Sequence, residues 1–204
     1  MYTKIINDRN INTIPDSETL AKINQYTRRD FRADEVYIFS MKLCDNETDC
    51  DYERFTIDAL HKLAFLFLGK TGIINRNYTN YNESNTARIF ECDVCSKDTI
   101  CTSSGEVYTY LVAQAYIPIT DDNKEIIKEL KCGTIKDISI GCAIAKLNCN
   151  ICGTDLKNDQ CKHIQGNTYN GVTCCKILNN PTVAYEWSFT VKPNYKVKIR
   201  KITR

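Results

Sequence analysis

The chain has 204 residues, enough for one domain with a small appendage and enough to bury a core without disulfide help. With 43% hydrophobic and 25% charged residues, its composition is that of a globular protein and sets aside disordered and fibrous classes. A net charge of +2 gives no argument for nucleic acid or an acidic membrane surface as partner.

The first segment, MYTKIINDRNINTIPDSETL, lacks the apolar stretch of a secretory signal. The most apolar run, Leu63–Leu68, is too short to cross a bilayer. The expectation is a reducing cytoplasm, where stable disulfides are unusual, so the twelve cysteines need another reading. They are metal ligands, buried small hydrophobes or neutral drift.

Taken in chain order, residues 16–29 read as a short helix capped by Asp16 or Ser17 after Pro15. Val36–Leu43 reads as a strand, and Cys44–Glu53 as an acidic turn region. Thr56 caps a helix through Leu68, with Leu60, Leu63, Ala64 and Phe67 on one face and Gly69 just past its end. His61 falls on the polar side of that helix. Residues 71–84 read as polar loop. Strands follow at Thr86–Glu91 and Val107–Ile117, the second apolar enough on both sides to be covered twice. Asp121–Leu130 is a short amphipathic helix with its acids at the start, where the helix dipole favours them. The basic end, from Lys196 to Arg204, reads as an edge strand guarded by lysines. Mixed strands and few helices predict an α+β domain whose sheet closes in a barrel-like manner, flanked by helices.

Two alternating strands, 135–146 (IKDISIGCAIAK) and 184–192 (AYEWSFTVK), flank a cysteine-rich insert. In the first, Ile138, Ile140, Cys142 and Ile144 face a core, while Ser139, Gly141 and Ala143 form a small-residue face. In the second, Tyr185, Trp187, Phe189 and Val191 are the apolar face and Glu186, Ser188 and Thr190 the polar one. On pattern alone, Ser139 and Glu186 are ordinary surface residues, and a catalytic reading competes with that one.

The insert, residues 148–176 within a single domain spanning 1–204, carries Cys149-x-x-Cys152 and Cys161-x-His163. Two thiolates on one tight turn offer the bite that tetrahedral zinc prefers, and four protein ligands make the site structural. Cys174 or Cys175 could replace His163. The pattern also resembles zinc knuckles that bind single-stranded nucleic acid, but the insert has no arginine and few stacking aromatics. Cys92-x-x-Cys95 with Cys101, helped by Cys44 or Cys50, is a second and poorer metal candidate.

DISIGCAIAK followed by AYEWSFTVKP resembles the tailed-phage prohead (capsid maturation) serine proteases. CDNETDCDYERFTIDALHKLAFLFLGKTGI, NTARIF, GEVYTYLVAQAYI and CNICGTDLKNDQCKHIQG are similar to a variant of that family in phages of low-GC Gram-positive hosts. The match covers roughly residues 35–193, and order and spacing carry it more than any one motif. The resemblance implies a fold like herpesvirus assemblin, a β-barrel surrounded by helices. It implies Ser139 as nucleophile and Glu186 as the orienting acid. Capsid and scaffold proteins would be the partners, in the host cytoplasm or the prohead, with a homo-oligomer possible and no membrane. The family's histidine follows the GKTGI segment, and here that position is Arg76. Arginine stays protonated and cannot take the serine's proton. The expectation is therefore a protease-like protein, cleaving scaffold and capsid proteins if active and a structural or binding component if not. A zinc-stabilised binding module unrelated to capsids is the alternative from another class.

Overall fold

A computed structural model describes residues 14–73, 86–135 and 137–190. Helix α1 spans Ser17–Asn24 and is capped by the Asp16 side chain, which accepts from the Thr19 N–H at 2.8 Å. It stops short of the predicted Arg29. The Asn24 side chain bonds the Phe31 backbone, and the Thr27 hydroxyl donates to the carbonyls of Asn24 and Arg29, offering partners that a helix would not.

Strand β1 (Val36–Asp45) is followed by the short β2 (Glu53–Phe55) and helix α2 (Ile57–Phe67). The Thr56 hydroxyl caps α2, and Gly69, at φ 73°, turns the chain out of it. Strand β3 (Thr71–Ile73) occupies what reads as loop in the sequence. Strand β4 (Thr86–Cys101) pairs with β5 (Val107–Pro118), then helix α3 (Lys124–Lys131) and strand β6 (Asp137–Cys149) follow. A two-stranded hairpin, β7 (Thr168–Tyr169) and β8 (Val172–Thr173), turns through Asn170 and Gly171, both at positive φ. Strand β9 (Lys176–Thr190) ends the described fold. The basic end of the chain lies outside the described residues.

The main sheet is mixed. Its order runs β1, β5, β4, β3, β9, with β2 also beside β9 and β6 along the other edge of β9. Strands β2 and β3 run parallel to β9, and the remaining pairs are antiparallel. The expected closure into a barrel is not found among the described residues, because no ladder joins the end strands β1 and β6. The sheet instead curls until Phe39 of β1 meets Phe189 and Trp187 of β9, with ring centroids 5.7 and 6.3 Å apart.

The core sits inside this curl, under α2 and α3. Leu60, Leu63 and Phe67 of α2 and Ile127 and Leu130 of α3 join Phe39, Ile89, Leu111, Ile140 and Trp187 there. A second cluster lies on the sheet's opposite face, where Ile23 of α1 packs with Val36, Phe90 and Tyr116. Strand β5 is thus covered on both faces, as its apolar pattern predicts. Among the described residues no helix is long and apolar enough to cross a membrane.

Candidate functional site

The insert between β6 and β9 begins where Cys149 closes β6. Its knuckle forms because Cys149 N–H donates to the Thr154 carbonyl at 3.0 Å and Gly153 N–H donates to the Cys149 carbonyl at 2.8 Å. Gly153 has φ 74°, a left-handed conformation that glycine adopts without a side-chain penalty. Asn150 ties the knuckle to the far side of the insert. Its side chain accepts from Cys175 N–H at 2.8 Å and donates to the Thr173 carbonyl at 2.9 Å. The insert also docks on the turn before β2, where Gln165 donates to the carbonyl of Asp51 and Lys176 N–H to that of Tyr52.

This framework gathers the Sγ atoms of Cys149, Cys152 and Cys161 and a ring nitrogen of His163 within 4.8 Å of one another. Cys152 Sγ lies 3.5 Å from Cys161 Sγ, and His163 Nδ1 lies 3.4 Å from Cys161 Sγ and 3.8 Å from Cys149 Sγ. A tetrahedral ion with metal–sulfur bonds of about 2.3 Å and a metal–nitrogen bond of about 2.0 Å has donor–donor edges of about 3.5–3.8 Å. The four donors could therefore hold a metal ion as they stand. The His163 ring is braced edge-on by Tyr169 at 4.6 Å between centroids.

The electrostatics of the cluster favour a cation. The Thr154 hydroxyl, 3.1 Å from Cys152 Sγ, and the Thr154 N–H draw the Cys152 thiol down to about 6. The His163 N–H at 3.3 Å also favours a Cys161 thiolate, yet burial and the neighbouring Cys152 and Cys149 push that thiol up. Sulfurs this close resist a shared negative charge, and a divalent ion among them offsets the repulsion.

The other cysteines behave differently. Among the described residues the 149–163 group is the one set of His, Cys, Asp or Glu side chains gathered to ligand distance. Cys92 and Cys95 sit three apart on β4 and so point to opposite faces, and Cys101 follows a register shift after Lys97. Burial raises the Cys92 thiol to about 12. The second cysteine triplet is therefore spread along a strand that runs ten residues past the predicted end at Glu91.

Strands β6 and β9 bring the other candidates together. Ser139 is directly opposite Ser188, and Gly141 is directly opposite Glu186. Ser139 and Glu186 thus share one face on adjacent strands, one diagonal step apart. Glu186 is exposed and Ser139 half-buried. The apolar face of β9 departs from strict alternation. Gly141 pairs with Glu186 while its neighbour Cys142 pairs with Ala184, so Tyr185 is bulged out to 44% exposure and Ala184 takes the inward place. Strand β3 ends at Ile73 beside Ser188. Arg76 follows three residues later and lies outside the described residues. His61 is exposed on α2.

The chain matches no family model, no curated protein and no solved structure. The hairpin that carries Tyr169 and the Asn150 brace were not visible as site elements in the sequence. The Asn170-Gly171 pair was the one local signal for that hairpin.

Proposed function

We propose that the chain is a prohead-protease-like protein of a tailed phage that captures scaffold or capsid segments during head assembly. The ordered resemblance over residues 35–193 motivates this reading, and the register of β6 against β9 supports it most directly. Ser139 and Glu186 stand on one face, next to the small Gly141 and Ala143, where an extended peptide backbone could approach.

Capture rather than rapid hydrolysis follows from the missing histidine. A serine hydroxyl is a weak nucleophile without an adjacent base. The chain has two histidines. His61 is on the exposed side of α2. His163 neighbours Cys149, ten residues along β6 from Ser139, a strand length on the order of 30 Å. A protease set lacking its base keeps only residual catalysis. The second reading, serine endopeptidase cleavage through an acyl-enzyme on Ser139, is favoured by the shared face of Ser139 and Glu186.

The insert's metal is proposed to be zinc. Three thiolates and an imidazole suit that ion, and a shell of four protein donors makes its role structural. It would clamp the loop between β6 and β9 and so hold the register that aligns Ser139 with Ser188.

Co-expression with the head proteins encoded alongside it tests the reading. The expected result is co-purification of a scaffold or capsid protein that is not cut. Cleavage that disappears in Ser139→Ala establishes the second reading instead. Neither binding nor cleavage overturns both capsid readings.

A further inference from the structure

The insert holds six Cys and His side chains for four tetrahedral vertices, and of these Cys175 bonds toward Thr48 and Arg54. Cys174 Sγ lies 3.9 Å from Cys149 Sγ, close to one edge of a tetrahedral shell, and Cys174 is 2% exposed. It stands outside the four-donor group of Cys149, Cys152, Cys161 and His163. His163 and Cys174 are the two ends of one small loop around the 168–173 hairpin. The loop is pinned at its Cys174 end, where Cys174 N–H donates to the Asn167 carbonyl at 2.8 Å and Gly166 N–H to the Cys174 carbonyl at 2.9 Å. Cys149 is thus flanked by two alternative partners, His163 Nδ1 at 3.8 Å and Cys174 Sγ at 3.9 Å.

We infer that Cys174 is a reserve ligand that takes the fourth vertex when His163 leaves it. The inference rests on the zinc reading above. Cys149, Cys152 and Cys161 form the fixed part of the shell, and the loop supplies either the imidazole from one end or the thiolate from the other. A cleft of about 390 Å³ borders the donors and is lined by Cys149, Cys161, His163 and Cys174, which gives the imidazole a place to go. Asp159 and Lys176 also line this cleft, and the Lys176 ammonium pairs with Glu53 at 3.7 Å. The centre keeps a closed shell in both states, so His163 can be drawn out without releasing the ion.

Zinc stoichiometry, chelator competition and zinc-edge X-ray absorption on the full-length protein separate the possibilities. The wild type is expected to bind one zinc through three sulfurs and one nitrogen. His163→Ala is expected to retain one zinc through four sulfurs, with affinity reduced no more than about tenfold. The double variant His163→Ala/Cys174→Ala is expected to lose at least a further hundredfold or so, beyond the usual effect of an outer-shell change. Three sulfurs plus a light atom in His163→Ala, with affinity equal to that of the double variant, overturns the inference and leaves Cys174 as a neighbour of the ligated Cys149. If the double variant does not fold, the sulfur count of His163→Ala decides alone. A wild type that binds no zinc contradicts the zinc reading itself, a result distinct from a failure confined to His163→Ala.

Discussion

A methyl group on Gly72 would stand 2.1 Å from Cζ2 of Trp187, so the indole lies directly against the β3 backbone. Trp187 is fully buried, and its Nε1 donates to the Lys70 carbonyl at 3.2 Å. The contact fixes β3 beside β9 and so sets where the chain leaves the sheet next to Ser188. Gly72→Ala is expected to lower stability by about 1–3 kcal/mol through overpacking, read as a fall in the denaturant midpoint. Gly141→Ala provides the contrast. Its new methyl would meet Glu186 Cγ, the flexible part of an exposed side chain, at 3.4 Å, so the midpoint should fall much less than in Gly72→Ala.

Helix α2 depends on a single hydroxyl for its start. Thr56 Oγ1 accepts from the Ala59 N–H at 3.2 Å. Thr56→Ala is expected to cost about 1 kcal/mol, whereas Thr56→Ser should keep most of the cap. Equilibrium urea unfolding of the two variants checks the difference.

Glu35 offers a titration test at the entrance to β1. Arg29 grips its carboxylate through two guanidinium nitrogens at 3.1 and 3.2 Å, and the Arg32 N–H adds a bond at 2.8 Å. The Arg29 bond, then the Arg32 backbone bond, hold this carboxyl down at about 2. A depressed carboxylate contributes stability above its ordinary range and loses it as pH falls toward the folded value. The contribution of Glu35 should therefore be intact above about pH 4.5 and fade toward pH 2. Carboxyl-carbon NMR should find the midpoint near 2 and show it moving up toward 4.5 in Arg29→Ala. An unshifted midpoint in the wild type would contradict the grip.

The sequence read the periodic elements well and the irregular ones poorly, for physical reasons visible at particular residues. The cap at Thr56 and the face of Leu60, Leu63 and Phe67 repeat with helical spacing, and α2 follows them closely. The three-residue β3 has no period to detect, because its place depends on the distant Trp187. Strand β4 runs on through Cys92 and Cys95, past the predicted end at Glu91, since pairing with β5 carries it further. The outward turn of Tyr185 comes from a bulge opposite Gly141, and alternation cannot reveal a bulge. The grouping of Cys149, Cys152, Cys161 and His163 was legible because ligand spacing is a local property. Cys174 and Cys175 were both legible as substitutes for His163, but which of them nears Cys149 was not, because that depends on how the 163–174 loop folds back.

Metal content separates a metal-clamped insert from a metal-free one. Zinc bound per chain should be measured on reduced protein after dialysis, together with proteolysis of the insert before and after chelation. The expected result is one zinc per chain, lost in Cys152→Ser and Cys161→Ser, with cleavage within residues 150–175 accelerated once the metal is removed. A reduced wild-type protein that binds no metal, with an insert equally resistant with and without chelator, would contradict it.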